Sequence, residues 1–431
     1  MRGNSKLGLF LALLFAGSMW FYVQHVLIPH QKADAARHGI PRGNLSDLYP
    51  RWLGARELLL HDRDPYSAEV TREIQIGYYG RPLDPLRPLD PKDEQRFAYP
   101  AYVVFLLAPT IRLPFSTVQA GFRWSLVALT AAAVVLWMRI LRWPASFTST
   151  AILLVLTLGS FPVLQGIKLQ QLSLLVGALV AGCAALLARN CLALAGALLA
   201  LATIKPQLVL PLIAWLLLWA FCDWHQRRNF VWGFVSAMTI LLASAEYVLP
   251  GWIARFRDAV LAYRQYNDGA GSILDVLVTP DWGRVLAGLI MFALAFTAWK
   301  CRSASTDSSA FNLVLVLVLA VTVVVVPKAA PYNQVFLLPG ILMVAVNWRV
   351  LWGKNRLARA ALVLGGVVIV WPWLATTALM IASFGLPPDV VQKAWALPVW
   401  TSLAMPLAVV ALLVCGFNEF IGASFDNERH S

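Results

Sequence analysis

The amino-acid sequence predicts an all-α polytopic membrane protein with about 12 transmembrane helices, and three observations carry that prediction. Of its 431 residues, 59% are hydrophobic and only 13% charged, with a mean hydropathy of +0.67. A soluble domain carries about 25% charged residues, so this chain cannot solvate a globular surface of its size. Its charge-free runs recur at lengths near the roughly 20 apolar residues that one helix needs to cross a bilayer. Many of the 18 tryptophans, among them Trp215, Trp219, Trp224, Trp348, Trp352, Trp371 and Trp373, sit near the ends of those runs. Tryptophan concentrates at membrane–water interfaces.

The first element is an apolar run over residues 7–28, behind Arg2 and Lys6. It exceeds the core of a signal peptide, about 7–15 residues, and no A-x-A site follows. An uncleaved first span is expected. Residues 29–98 then form a polar loop holding 11 of the 22 acidic and 11 of the 35 basic residues. Within it, residues 49–60 predict an amphipathic helix with Trp52, Leu53, Leu59 and Leu60 facing the membrane, and residues 68–79 predict a second. Asp62-Arg63-Asp64-Pro65-Tyr66 reads as the turn between them, and residues 80–91, with four prolines, as extended loop.

Apolar segments follow at 99–113, 117–138, 148–164, 170–188, 191–204, 206–222, 231–249, 284–300, 310–327, 332–348, 360–383 and 395–417. A second outer loop, 250–283, separates two of them, and residues 1–431 read as a single membrane domain. Parity decides sidedness. If 99–113 spans, Arg227, Arg228, Lys300, Arg302 and the cluster from Arg349 to Arg359 all lie outside. If it does not, they join Arg139, Arg142 and Arg189 in the cytoplasm, as the positive-inside bias favours. Pro100, Pro109, Arg112 and Pro114 interrupt the segment. A re-entrant or interfacial helix is therefore expected there, leaving 12 full spans, both termini inside and both loops outside. Re-entrant backbone persists only where protein or a polar cavity covers it, which predicts an outward cavity.

The formal charge of +13 does not point to nucleic acid, because the excess is scattered between apolar runs and forms no basic stripe with interleaved aromatics. Cys183, Cys191, Cys222, Cys301 and Cys415 lie in or beside spans, with no CxxC or Cys/His metal spacing, so disulfides and structural zinc are not expected. No P-loop, G-x-S-x-G, H-E-x-x-H or Rossmann glycine pattern is present. His30, His38 and His61, in or near the large loop, have no metal-ligand spacing. No cofactor or metal is called for.

In this topology Lys168, Lys205 and Lys328 fall at outer span ends, against the positive-inside bias. Each has the option of snorkelling to the headgroups. Lys205 has the least loop to escape into, since about one residue separates its flanking apolar runs. Charges at such depth face cavities and mark ligand paths, and ammonium groups there suit an anionic headgroup such as phosphate. Asp47 sits just ahead of the first loop helix, where it serves either as N-cap or as a functional acid. Asp62 and Asp64 form a D-x-D that Pro65 and Tyr66 turn into a bend. Glu246, near a span end, reads equally as a buried acid or an interfacial one.

Four stretches resemble polytopic glycosyltransferases of the GT-C superfamily, specifically family 87, the polyprenyl-phosphate-mannose-dependent mannosyltransferase type. The first is Ser46-Asp47-Leu48-Tyr49 with Ala55-Arg56-Glu57-Leu58-Leu59 and Asp64-Pro65-Tyr66; the second is Phe97-Ala98-Tyr99-Pro100 with Leu106-Leu107-Ala108-Pro109. Gln170-Gln171 within Leu169 to Leu175 and Ile204-Lys205-Pro206-Gln207 complete the set, with a weaker match at Pro331-Tyr332-Asn333 before Leu337-Leu338-Pro339. The family tends to carry Gly-Gln at Gln170-Gln171 and Tyr-Asp at Tyr332-Asn333, so the second departure removes a carboxylate.

The resemblance implies a GT-C-like fold in an inner (plasma) membrane and an active site facing outside. It implies Asp47 as catalytic base; the cations at outer span ends, Lys205 with Lys168 and Lys328 as weaker candidates, are expected at the donor phosphate, and Tyr49, Tyr66, Tyr99, Gln171, Tyr332 and Asn333, from the matched stretches, at the substrate. The implied partners are a polyprenyl-phosphate sugar donor, a glycan or glycolipid acceptor and membrane lipids, in cell-envelope synthesis. A sugar on a lipid phosphate already has a good leaving group, so one base and some cations suffice for inverting transfer. The alternatives are a flippase or transporter of lipid-linked sugars, which needs no base, and a structural subunit. Transporters often carry internal repeats, and none is evident.

Overall fold

The computed structural model describes residues 2–37, 46–84, 86–143, 146–266, 271–327 and 330–421. Among the described residues all regular structure is helical. α1 (Arg2–Phe21) continues through a π-helical stretch, Tyr22–Leu27, into α2 (Ile28–Arg37), so the apolar N-terminal run forms one long rod. Tyr22 is fully buried where the helical register changes, and its hydroxyl donates to the Trp395 carbonyl at 2.5 Å.

The large loop folds as α3 (Tyr49–His61) and α4 (Ala68–Tyr79), as predicted. Asp62 ends α3 in the left-handed region at φ 51°. Asp64 Oδ1 accepts from the Tyr66 amide at 2.9 Å, and Ser67 Oγ caps α4 by accepting from Val70 N–H at 3.2 Å. The membrane-facing expectation for α3 is corrected. Trp52 and Leu53 are buried, Leu59 and Leu60 pack on the same core, and α5 (Val103–Leu107) lies against the helix. Its apolar side is covered by protein. Segment 99–113 supplies only α5 and a turn of 3-10 helix, Ala108–Thr110, which is too short to cross a bilayer.

The apolar helices follow in order. α6 (Phe115–Ile140) is long, whereas α7 (Phe147–Leu158) and α8 (Phe161–Lys168) are bent by 58°. Gly159 and Ser160 make the break and Pro162 opens α8, where a missing N–H costs nothing. Then come α9 (Leu172–Ala188), α10 (Leu192–Ala202), α11 (Pro206–Cys222) and α12 (Trp224–Val248). The second loop contains α13 (Trp252–Tyr266) and α14 (Ile273–Leu277). α15 (Pro280–Lys300) and α16 (Ser309–Val325) precede a 3-10 stretch, Pro331–Leu337, that runs into α17 (Leu338–Val346). α18 (Trp348–Lys354) departs at 63°, and α19 (Arg356–Ala382), α20 (Pro388–Lys393) and α21 (Ala404–Cys415) close the chain.

Among the described residues six helices are long and apolar enough to cross a membrane, and up to eight if each bent pair is one span. Four further apolar helices, α9, α10, α11 and α16, have only 10–17 residues. Seventeen residues reach ~25 Å, against a hydrocarbon core of ~30 Å. α16 is buried along nearly its whole length, and an all-round apolar helix belongs in such a core. α10 and α12 meet backbone to backbone: a Cβ at Gly196 would lie 2.1 Å from the Phe230 carbonyl oxygen. Small residues allow this approach between apolar helices. At one end of the bundle Arg227 donates to the carbonyls of Trp219 at 2.8 Å, Arg302 at 3.1 Å and Ser303 at 3.2 Å. The α11–α12 corner and the α15–α16 link therefore share that end.

Candidate active site

Asp47 leads into α3, and its carboxylate does not cap that helix; the Leu48 amide bonds to Ser46 Oγ at 3.2 Å instead. The Asp47 main chain is pinned to the membrane helices, its N–H donating to the Leu169 carbonyl at 3.0 Å just after α8. The carboxylate is gripped from two sides. Gln171 Nε2 donates to Oδ2, and the Tyr78 hydroxyl, from α4, donates to Oδ1 at 3.3 Å.

Gln171 connects this acid to a buried cation. Lys205, only 5% exposed, donates from Nζ to Gln171 Oε1 at 3.0 Å and to Ser173 Oγ at 2.6 Å. Ser173 in turn donates to Asn333 Oδ1 at 2.8 Å, and the Lys205 ammonium lies 4.9 Å from the centre of the Tyr332 ring. Carboxylate, amide, ammonium, hydroxyl and amide thus form one continuous chain. It joins the loop, the α8–α9 link, the start of α11 and the 3-10 stretch before α17. Buried polar groups tolerate such depth only when linked in this way.

The α8–α9 link turns at Gln170, whose φ of 47° lies in the left-handed region that favours glycine. This is the position where the resembled family tends to carry Gly. Here the side chain compensates: Gln170 Nε2 donates to the carbonyls of Ile167 at 2.5 Å and Lys168 at 2.9 Å, and Gln119 donates to its Oε1 at 3.1 Å.

Aromatic rings form the wall beside the acid. Arg51 Nη2 donates to the Tyr99 hydroxyl at 2.7 Å, with its guanidinium carbon 4.1 Å over that ring. The Tyr66 hydroxyl donates to the Tyr99 carbonyl at 2.6 Å. Burial pushes the Tyr99 hydroxyl up to about 12, with the Asp47 charge adding to the rise and Arg51 opposing it. That phenol stays protonated at neutral pH. Asp47, Arg51, Tyr99 and Tyr263 all act electrostatically on the Tyr332 hydroxyl.

The fold therefore brings together Asp47, Gln171, Lys205, Tyr332 and Asn333, with Tyr99 and Tyr66 alongside. Tyr49 packs against Trp52, Phe115 and Gly77. Lys168 donates to Gln31 of α2 at 2.8 Å, and Lys328 and His38 lie outside the described residues. Three other acids are otherwise engaged. Glu57 pairs with Arg63 at 2.9 Å, Asp64 with Arg255 at 3.2 Å, and exposed Glu246 accepts from the Gly251 amide at 2.7 Å. Arg51, Tyr78, Ser173 and Tyr263 were not singled out from the sequence. Arg51 had a usable signal, lying four residues past Asp47; Tyr78 and Tyr263 reach the site through tertiary folding alone.

The model of glycosyltransferase family 87 matches residues 97–327, more than half of the chain. Comparison with curated proteins returns no match, nor does comparison with solved structures. The matched stretch contains Tyr99, Gln171, Ser173 and Lys205, and Asp47 precedes it. With several apolar helices of span length around a linked acid and cation, this chain belongs to glycosyltransferase family 87 and is a multi-pass membrane glycosyltransferase.

Proposed function

We propose that the protein transfers a sugar, mannose or another hexose or pentose, from a polyprenyl-phosphate donor to a glycan or glycolipid acceptor at the outer face of the inner membrane. The observation that carries this reading is the Asp47 carboxylate, held by Gln171 and Tyr78 and committed to no helix cap. Asp47 takes the proton of the acceptor hydroxyl. The acceptor oxygen bonds to the anomeric carbon as the bond from that carbon to the phosphate oxygen breaks. The electron pair leaves on polyprenyl phosphate, and configuration inverts. Transfer needs one base and preorganised positive charge near the leaving group.

Lys205 supplies part of that charge, from behind Gln171 and Ser173. Its bonds favour a supporting role over direct contact with the donor, because two of its donors are already used within the protein. Lys168 and Lys328 are weaker contributors on this reading. The accompanying topology has 12 crossings, the short helices α9, α10, α11 and α16 included, with the loops 29–98 and 250–283 outside. Arg227 supports it by gathering the basic corners at residues 227–228 and 300–302 at one end.

The test is a cell-free assay of the purified protein with a panel of labelled polyprenyl-phosphate sugars. Label is expected to move from at least one donor to an added glycolipid or oligosaccharide. Failure with every donor, alongside transfer from a nucleotide sugar, sinks the lipid-donor reading.

A further inference from the structure

Arg51 occupies the first turn of α3 and is 9% exposed. One guanidinium nitrogen, Nη2, donates to Tyr99, while Nε and Nη1 are buried without a hydrogen-bond partner among the described residues. Among the described residues no carboxylate pairs with it, although Glu57 on the same helix is paired twice, with Arg63 and His61. An arginine remains charged at any physiological pH and presents five N–H groups in a rigid fork. A buried charge left unpaired is strongly unfavourable, so this guanidinium awaits an anion.

Its shape indicates which. Nη2 uses only one of its two N–H groups on Tyr99, so at least one edge of the fork keeps both prongs free. Such an edge matches two oxygens of a phosphate. The stacked Tyr99 ring fixes the plane of the fork before any ligand arrives. Arg51 also lies four residues beyond Asp47 in sequence, and both charges act on the hydroxyls of Tyr99 and Tyr332. A base and a cation acting on the same rings are the two groups that transfer to an acceptor hydroxyl from a departing phosphate requires. A sugar–lipid phosphodiester carries a single negative charge, which one guanidinium balances.

We propose that Arg51 is the residue that grips the donor phosphate, by a two-pronged hydrogen bond from its free edge. This rests on the reading of the site as a sugar transferase with a phosphate-linked donor. Lys205 then acts as a positioning residue that holds Gln171, and Arg51 makes the contact with the leaving group.

The experiment uses the full chain in nanodiscs, with a sugar-free polyprenyl phosphate as probe, the corresponding polyprenol as control and inorganic phosphate as a third arm. Wild type is expected to bind polyprenyl phosphate at least tenfold more tightly than polyprenol. Arg51→Gln is expected to abolish that preference and leave polyprenol binding unchanged, while Arg51→Lys, a point charge without the fork, retains part of it. Because the unliganded guanidinium is unpaired, Arg51→Gln should melt at the wild-type temperature or above it, and lose only the ligand-induced rise.

Wild-type affinity for polyprenyl phosphate in Arg51→Gln overturns the assignment. So does a lowered melting point of the unliganded variant together with loss of polyprenol binding, which marks a structural role. An Arg51-dependent response to inorganic phosphate without preference for the lipid keeps the anion site and rejects the lipid-borne donor. Asp47→Asn is expected to bind the probe normally, so failure of the base assignment leaves this result intact.

Discussion

The Lys205 ammonium reaches the Asp47 carboxylate through a single side-chain amide, with Nζ donating to Gln171 Oε1 at 3.0 Å and Gln171 Nε2 donating to Asp47 Oδ2. An amide bonded at both ends cannot flip, because its oxygen must face the cation and its nitrogen the acid. The relay therefore fixes which carboxylate oxygen is tied down and leaves the other, bonded to Tyr78 at 3.3 Å, the more available for an incoming proton.

Lys205→Met tests that relay. With its cation gone, Gln171 loses the partner that orients it, so kcat is expected to fall by roughly 10–100-fold while donor KM changes less than threefold, the pattern of a lost transition-state contribution. A rise in donor KM with kcat unchanged would instead put Lys205 on the donor itself.

Asp47→Asn is expected to abolish transfer, since a general base contributes about 10²–10⁴-fold. Folding should be unaffected, because the carboxylate caps no helix. Size and shape are kept while proton acceptance is lost. Substantial turnover by the Asn variant, measured in detergent or nanodiscs, would remove Asp47 from the chemistry.

Gly77→Ala probes how α4, which carries Tyr78, is seated against Tyr49 of α3. A Cβ on α4 at this position would lie 1.9 Å from the Tyr49 hydroxyl oxygen and 2.3 Å from its ring carbon Cζ. Overpacking of this kind costs about 1–3 kcal/mol. Adding Tyr49→Phe is expected to give little rescue, since the ring carbons still clash. An unchanged melting temperature in Gly77→Ala would show that α4 shifts freely.

Acid sensitivity of the large loop is expected to centre on Asp90. The Arg81 guanidinium, 2.5 Å away, and then the Asp84 amide hold its carboxyl down at about 2. An unfolded aspartate titrates near 3.9. A folded value below the unfolded one means that the stabilisation is present above about pH 4 and fades as pH falls toward 2. Melting curves of wild type and Asp90→Asn should differ by a constant amount at neutral pH and converge in that acid window. A gap that persists at pH 2 would contradict the assignment.

The proposed 12-crossing topology makes a prediction about sidedness. Single cysteines at Ser67, which caps α4, and at Ser308, which caps α16, are expected to label from opposite faces of sealed vesicles. Labelling of both from outside would overturn the 12-crossing topology.

Much of the helical plan was legible because apolar run length and turn chemistry are local. Residues 68–79 were predicted as a helix and form one, and Asp62 to Tyr66 turns as its Asp-Pro-Tyr sequence requires. What covers an apolar face is not local. The pattern at Trp52 and Leu53 is the same whether lipid or α5 packs on it, and here it is protein. Hydropathy is also blind to bends, so α7 with α8 reads as one span although Gly159 and Ser160 break it by 58°. In the candidate site Lys205 was visible as a charge stranded in apolar sequence, and Gln171 only through the family resemblance. Their union was not, because it depends on the left-handed turn at Gln170, a conformation that glutamine does not advertise.

The bond from the Asp47 amide to the Leu169 carbonyl has a mechanical consequence. The proposed base rides on the bent α7–α8 pair, so its height above the bilayer midplane is set by the length of protein helices. A lipid phosphate floats at a height set by acyl chains. The two planes coincide only in a bilayer of matching hydrophobic thickness, and mismatch costs fractions of a kcal/mol per Å. If the donor is lipid-borne as proposed, the enzyme would gauge the depth of a headgroup as well as its chemistry, and the same donor is expected to become a better or poorer substrate as the surrounding membrane thins or thickens.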